Sequence, residues 1–213
     1  MQDDKTLYGR WRETRLVGGH PALDFLNSVS DRVAREEAVD RLGSLIDLAD
    51  WARSAGLAVS PSLAARLAKT TDEGESVITR AKALREAAHA ALTARANEQS
   101  PPSNALALIS DVAAEGMASG SLHWSQPNDT ASLTLEKPDP TGLLGLIAWQ
   151  ILDALFRLPG ERLRICPRCG WLFFDSTRGG KRRWCQMRTC GNREKAQRHR
   201  RAKGPASAQT KGT

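Results

Sequence analysis

The 213 residues suffice for one large domain, or for one of ordinary size with a small appendage. Hydrophobic residues make up 40% of the chain, which excludes disorder along its whole length. From Glu161 onward, 15 Lys and Arg face 3 acidic residues, whereas residues 1–160 carry 16 against 21. The net charge of +7 thus combines an acidic body with a strongly basic C-terminal segment. This asymmetry predicts a polyanionic partner, above all nucleic acid, for that segment.

Two features of the sequence bear on location. The N-terminal stretch MQDDKTLYGRWRE is charged and lacks an apolar core, so we expect no signal peptide. The longest apolar run, from Gly142 to Phe156, contains Gln150 and Asp153 and is shorter than the roughly 20 residues that span a bilayer. We therefore expect a cytoplasmic protein with no membrane segment.

The first elements lie on either side of a glycine pair. Residues 12–17 could form a short strand before Gly18-Gly19. Residues 20–32 have a proline where the first turn of a helix accepts one, and Leu23, Leu26 and Val29 fall on one helical face. This pattern predicts a helix that runs past residue 27.

Apolar spacing and turn residues predict the rest of the body. Helices are expected over 44–54, after Ser60-Pro61, over 75–97 and over 103–115, then a β-hairpin around 122–124 and 132–136, and a core helix from Asp139-Pro140 to about 158. A short strand over 162–165 follows. The predicted fold class is α+β: a mainly helical body with a small antiparallel β element, plus a small C-terminal module.

All four cysteines lie in that C-terminal segment, as a C-x-x-C pair, fifteen intervening residues and a C-x-x-x-x-C pair. Two close pairs at this spacing predict a tetrahedral zinc site with four thiolate ligands, namely Cys166, Cys169, Cys185 and Cys190. In the cytoplasm such cysteines bind metal more often than they form disulfides. The alternative is a set of buried free thiols.

The residues between and after the cysteines predict the shape of the finger. Gly170 follows the second ligand and permits the positive φ that a zinc knuckle needs. Residues 171–174 are expected to form a strand, and residues 181–184 to return as the second strand of a hairpin. Cys190 would then begin a basic helix over about 191–202. The C-terminal module is therefore predicted to be a treble-clef-like zinc finger.

Three motifs carry a resemblance to known families. RWCQMRTCGNREK, residues 183–195, resembles the WC-x-M-x-x-CGNR-x-K signature of the CGNR zinc-finger family, and CPRCGWLFFDSTR, residues 166–178, resembles its first half. GGHPALDFLN, residues 18–27, is similar to the opening motif of the ABATE domain, although Ser28 stands where threonine is commoner. The resemblance implies a bacterial, stress-induced transcription regulator whose finger binds DNA.

Together these observations predict three parts of the chain. Residues 1–160 form an ABATE-like body that could sense a ligand or a partner. Residues 161–203 form the four-cysteine finger with its basic helix, and residues 204–213 are a disordered tail. Because only a brief connection separates body and finger, we expect the finger to be docked on the body.

The basic residues of the finger are the candidate nucleic-acid contacts, because Lys and Arg neutralise phosphates and some Arg reach base edges. They are Arg182, Arg183, Arg193, Lys195, Arg198, Arg200 and Arg201. Trp171 and Trp184 could stack on bases, but packing inside a small zinc module is the better interpretation. Instead of DNA, the basic helix could dock on an acidic protein or on RNA, or be a solvated surface.

One polar group in the body could be a site. His20, Asp24 and Asn27 could bind a small ligand, or they could cap the helix and satisfy backbone groups. No phosphate-binding loop or catalytic motif is present in the sequence, and zinc held by four thiolates has no open position for water. We therefore expect no enzyme activity. The oligomeric state stays open, with a dimer plausible.

Overall fold

A computed structural model describes residues 11, 16–57, 74–118, 120–125, 130–135 and 139–202. In chain order the described elements are α1 Pro21–Leu26, α2 Leu45–Ser54, α3 Gly74–Ala96, α4 Ser103–Ala118, β1 Gly120–Ser125, β2 Thr130–Leu135, α5 Pro140–Arg157, β3 Leu163–Ile165, β4 Leu172–Phe174 and α6 Asn192–Ala202. The predicted helix after Ser60-Pro61, the C-terminal tail and most of the predicted strand over 12–17 lie outside the described residues. Residues 16 and 17 are not in a strand.

Several helix boundaries follow from local capping chemistry, as the sequence predicted. The Ser44 hydroxyl accepts a hydrogen bond from the Asp47 amide at 3.2 Å and caps α2. Asp139 caps α5 in the same way, through the Thr141 amide at 2.9 Å. After α2 the chain turns away at Gly56, whose φ of +80° suits glycine.

Helix α1 is shorter than predicted. It ends at Leu26 with Asn27 as its C-cap, so Val29 does not continue the helical face. Val29 instead forms an isolated antiparallel bridge with Asp40, supported by a hydrogen bond from the Ser30 amide to the Val39 carbonyl. The chain leaves the helix because the backbone after Asn27 pairs with residues 39–41.

The body is built around α5, the predicted core helix. Its inner face, with Leu143, Leu144, Ile147 and Ile151, is fully buried. Helix α4 lies against it so closely that a Cβ on Gly116 or Gly145 would lie 2.1 Å from the Cα of the other glycine. Because glycine has no Cβ, the two helices can approach this closely only with glycine at both positions.

The predicted β-hairpin is present in the body. Strands β1 and β2 pair antiparallel, with Gly120 opposite Leu135 and Ser125 opposite Thr130. The fold is therefore mainly helical with a small antiparallel β element, as the sequence predicted. Among the described residues, no helix is both long enough and apolar enough to cross a membrane.

Strand pairing in the finger differs from the prediction. Residues 181–183 are not in a strand, and β4 pairs antiparallel with β3, from Leu163 opposite Phe174 to Ile165 opposite Leu172. The knuckle between Cys166 and Gly170 turns the chain back on itself, because the Gly170 amide donates to the Cys166 carbonyl at 2.8 Å. Strand β3 thus ends directly before Cys166, and β4 begins shortly after Cys169.

Candidate metal centre and nucleic-acid interface

The four cysteines converge on one point. The Sγ atoms of Cys166, Cys169, Cys185 and Cys190 all lie within 4.8 Å of one another, and all four residues are buried. Three of the separations are 3.7, 3.6 and 3.6 Å, for Cys169–Cys185, Cys185–Cys190 and Cys190–Cys169. A zinc ion with Zn–S bonds of about 2.3 Å requires tetrahedral edges of about 3.8 Å. The thiols therefore have the spacing that Zn²⁺ needs.

The electrostatics of the cluster also call for a cation. Hydrogen bonding with Cys169 and the other thiols lowers the pKa of Cys166, whereas hydrogen bonding with Cys166 raises the pKa of Cys169 and of Cys185. Without a metal the four groups compete, since thiolates this close repel one another. A divalent ion at the centre removes the conflict and allows all four to be ionised.

Local structure positions each pair of sulfur atoms. Gly170 has a φ of +71°, as predicted, and lets the knuckle present Cys166 and Cys169 together. Cys190 lies in a π-helical turn, Met187–Gly191, that leads directly into α6. The basic helix therefore begins at the thiol cluster, in agreement with the treble-clef-like interpretation.

Asp175 organises the loop between the two cysteine pairs. Its side chain is buried and accepts hydrogen bonds from the Thr177 hydroxyl at 2.6 Å and the Arg182 amide at 2.7 Å. The hydrogen bond from the Thr177 hydroxyl contributes most to holding the pKa of the Asp175 carboxyl below its ordinary value, and the Arg182 amide adds to this effect. Residues 181–184, which were predicted to form a second strand, are instead held in place by the hydrogen bond between the Arg182 amide and this carboxylate.

The finger is docked on the body through the motif that resembles the ABATE opening. The side-chain amide of Asn27 bonds the backbone of Leu172 in β4 twice, donating to its carbonyl at 2.8 Å and accepting from its amide at 3.1 Å. The Phe174 amide donates to the Gly18 carbonyl at 2.7 Å. The side chain of Asn27, which is 1% exposed, thus makes the two hydrogen bonds to β4 that the backbone of a neighbouring strand would make.

Two further bonds extend the junction beyond that motif. The Trp171 indole donates to the Val29 carbonyl at 2.7 Å, and the Arg32 amide donates to the Cys169 carbonyl at 2.8 Å. The second bond reaches the zinc knuckle itself. Body and finger therefore share backbone hydrogen bonds at the thiol cluster.

The candidate nucleic-acid residues divide into two groups. One group is exposed and comprises the residues on α6 and Arg183, which precedes the second cysteine pair: Arg183, Arg193, Lys195, Arg198, Arg200 and Arg201. None of the five on α6 has an ion-pair partner within the described part of the chain. His199 on the same helix is also exposed, apart from the thiol cluster.

Arg182, in contrast, is held inside the finger. Its guanidinium donates to the carbonyl oxygens of Trp184 and Cys185 and lies 4.6 Å from the centre of the Phe173 ring. Trp171 is only 9% exposed, so it packs in the finger, as the sequence favoured. Trp184 is half-buried against the thiol cluster, with the Arg183 guanidinium 4.9 Å from its ring centre.

The candidate ligand residues of the body have structural partners. His20 caps α1 by accepting from the Ala22 amide at 3.2 Å, and its Nε2 lies 3.0 Å from Asp153 on α5. Asp24 accepts from the Gly18 amide at 2.8 Å, and Asn27 bonds β4. The three side chains therefore contact different neighbours, and these contacts favour the capping alternative.

Asp24 gives a testable pH dependence. Burial raises the pKa of its carboxyl to about 7, against the opposing hydrogen bonds from the Gly18 and Val17 amides. Between the two pKa values the folded protein holds a proton that the unfolded chain has lost, so the unfolding free energy of the wild type falls as the pH rises towards 7. At about 1.4 kcal/mol per pKa unit, the wild type should lose about 2 kcal/mol between pH 5.5 and 7, and Asp24→Asn should not show this loss.

Urea unfolding at several pH values measures this difference. Asp111→Asn, at an exposed position of α4, is the matched control and should follow the wild type at every pH. Parallel pH curves for Asp24→Asn and the wild type would mean that Asp24 is ionised in the folded protein throughout this range.

An ionic cluster around a buried arginine of the body was not predicted from the sequence. Arg85 on α3 is 4% exposed and donates to both carboxylate oxygens of Asp40, at 2.8 and 2.9 Å. It also donates to the Ser28 hydroxyl at 3.0 Å and to Glu86 at 2.8 Å. Burial opposes ionisation of Asp40, but the hydrogen bonds and charge of Arg85 outweigh it and lower the pKa of that carboxyl. The only hint in the sequence is that Arg85 follows Leu84 on the inner stripe of α3.

The thiol cluster, the docked helical body and the basic helix together define a zinc-finger protein. A family model described as "Putative stress-induced transcription regulator", the ABATE family, matches residues 19–157, and the model of the CGNR zinc finger matches residues 162–203. The chain belongs to the ABATE family and carries a CGNR zinc finger, with Zn²⁺ as its cofactor. No curated protein matches the chain.

Proposed function

We propose that this zinc-binding regulator contacts DNA through the exposed basic surface of its finger. The observation that carries the proposal is the set of exposed cations on α6 that have no acidic partner in the described structure: Arg193, Lys195, Arg198, Arg200 and Arg201. Side chains of this kind on one 11-residue helix are suited to phosphate oxygens, and Arg also to the edges of guanine. Arg183 extends the surface at the start of the helix.

The charge distribution supports one orientation on DNA. Residues 1–160 carry 16 basic against 21 acidic residues, so the body is repelled by a polyanion while the finger is attracted. This arrangement favours approach with α6 first. Arg182 takes no part in the contact, because its guanidinium is bound to carbonyl oxygens inside the finger.

We propose that Cys166, Cys169, Cys185 and Cys190 are the four zinc ligands. With all positions filled by thiolates, the ion has no site for water, and its role is to hold the knuckle and the start of α6 together. Asn27 and Gly18 then fix the finger to the body through β4. Metal and docking thus set the direction of the basic helix.

The double variant Arg193→Ala/Arg198→Ala tests the DNA contact. Each phosphate contact contributes about 0.9 to the slope of log K against log salt, so the slope should fall by nearly 2 when both residues contact phosphates. Duplex binding at low salt should weaken by an order of magnitude or more, with the zinc content unchanged. Fluorescence anisotropy over a salt series measures both quantities.

A matched control removes the same charge from the body. Arg80→Ala/Arg157→Ala deletes two guanidiniums that lie in exposed ion pairs with Glu115 and Asp153. This variant should keep the DNA affinity and salt slope of the wild type. If the α6 double variant binds duplex as the parent does, the helix is not the DNA contact. Retention of a protein from nuclease-treated lysate, or a preference for RNA over duplex DNA, would favour the interaction module considered from the sequence.

A further inference from the structure

The exposed apolar side chains of the body are concentrated on two neighbouring helices. Within the described part of the chain seven large hydrophobic residues are exposed, and four of them belong to α4 and α5: Leu106, Met117, Trp149 and Phe156. Their exposed fractions, in that order, are 39%, 42%, 38% and 79%. Neither the zinc centre nor the proposed DNA contact uses these residues, so the surface that they form has another role.

All four side chains lie on one side of the helix pair. The end of α4 meets the start of α5 where Gly116 contacts Gly145, so the two packed helices run antiparallel. At about 100° per residue, the two exposed residues of α5 are turned by about 20–40° from Gly145, and those of α4 by about 80–100° from Gly116 in the same sense. In an antiparallel pair the same sense of rotation leads to the same side. Helix α3 occupies the opposite side, where Arg80 pairs with Glu115.

This two-helix face is electrically neutral. Helices α4 and α5 contain four ionisable residues, and two of them, Asp111 and Glu115, lie on the α3 side of α4. The other two, Asp153 and Arg157, pair with each other at 3.1 Å. The body as a whole is acidic, with 16 basic against 21 acidic residues over 1–160. Two copies of the body therefore approach each other with least repulsion through this face.

We propose that this face is the interface of a homodimer, in which α4 and α5 of two copies pack about a twofold axis. A twofold interface uses the same patch on both copies, so one self-complementary surface is enough. Taking about 200 Å² for a large side chain, the exposed fractions amount to about 400 Å² of apolar area per copy. A standard interface buries about 800 Å² per partner, somewhat over half of it apolar. The four side chains thus supply most of the apolar area that a stable dimer needs.

Other occupants fit this face less well. An anionic membrane surface or a nucleic acid would need Lys or Arg beside the apolar residues, and the two helices offer only Arg157, which Asp153 already pairs. The main alternative for a dimer is contact between the basic α6 of one copy and the acidic body of another. Such a contact would weaken with salt, whereas an apolar interface would not.

Sedimentation equilibrium of the zinc-loaded full chain tests the proposal, and the wild type should dimerise at micromolar concentration. Phe156→Glu and Leu106→Glu should each weaken dimerisation about a hundredfold, because each change occurs twice in a symmetric interface and each occurrence costs about tenfold. Val33→Glu is the matched control: it places the same charge at a side chain that is 62% exposed, outside α4 and α5, and should dimerise as the wild type does.

Two further measurements separate this interface from contacts of the basic helix. Added sodium chloride should leave the dissociation constant of the dimer unchanged, and Arg193→Ala/Arg198→Ala should remain dimeric. Dissociation by salt or by that double variant would overturn the proposal in favour of contact between α6 and the acidic body. The test does not depend on DNA, so a protein that binds no duplex would contradict the proposed function and leave the dimer to be decided here.

Several other results would also contradict the proposal. They are a wild type that stays monomeric up to about 100 μM, a dimer that survives both face variants, and equal weakening by Val33→Glu. A monomeric wild type whose melting temperature falls in Phe156→Glu would assign the face to packing within the chain. Zinc content and thermal melts show whether each variant is folded, and Phe156→Glu alone decides if Leu106→Glu is not.

Discussion

Removal of zinc with a high-affinity chelator is expected to unfold the finger and to destabilise the body with it. The core of the finger consists of the four cysteines with Trp171 and Phe173, so few apolar contacts remain once the sulfur atoms separate. Structural zinc contributes about 10–16 kcal/mol of apparent binding free energy at neutral pH, more than most domains have in total stability. Body segments that bond the finger, from Gly18 to Arg32, should lose protection as well.

Thermal melts and hydrogen exchange measure the two effects. The melting temperature should fall on chelation, and amide exchange in residues 18–32 should accelerate. Zinc should restore both, whereas magnesium, a hard ion that prefers oxygen ligands, should not. Cys185→Ser should reproduce the chelated state and bind no stoichiometric zinc. A chelated protein with an unchanged melt and unchanged exchange would contradict a structural role for the metal.

Replacement of Arg85 by Met is expected to cost about 1–3 kcal/mol in unfolding free energy. The substitution removes the buried partner of an ion pair and takes two hydrogen bonds from Asp40, whose side chain is 33% exposed. It also removes the link between α3 and Ser28, directly after the residue that docks the finger. For a chain of this size the loss corresponds to a fall in melting temperature of about 5 °C.

Arg80→Met is the matched control on the same helix. Arg80 pairs with Glu115 at the surface, where both side chains are at least 40% exposed, and such pairs contribute about 1 kcal/mol or less. Arg85→Lys should fall between the two, since a lysine keeps the charge but cannot make the two-pronged bond to Asp40. Equal unfolding free energies for Arg85→Met and Arg80→Met would mean that the ion pair of Arg85 contributes no more than a surface pair.

Local chemistry made much of the fold predictable. The helix over 44–54 and the start of α5 at Asp139-Pro140 were predicted close to where they lie, and Gly170 has the positive φ that was predicted for it. The metal cluster was predictable for a similar reason, because cysteine spacing restricts which sulfur atoms can reach one ion. These features depend on residues close together in the chain.

Errors arose where the outcome depended on distant partners. The strand expected over 181–184 has no partner there, because β3 occupies one edge of β4, Gly18 and Asn27 bond the other, and Asp175 holds Arg182. The helix expected to continue past Asn27 ends because the backbone after Asn27 pairs with residues 39–41. In both cases local propensity was overridden by a competing hydrogen bond from elsewhere in the fold.

By itself the sequence determined the cysteine cluster, the class of fold and the charge difference between body and finger, since each depends on residue type and spacing alone. Only the tertiary structure decided what individual polar residues do. The Arg182 guanidinium is bound to carbonyl oxygens of the finger, Arg85 is buried beside Asp40, and Asn27 joins body to finger. The physical reason is that an arginine or an asparagine has the same local propensity whether its hydrogen-bond partner is water or another part of the protein.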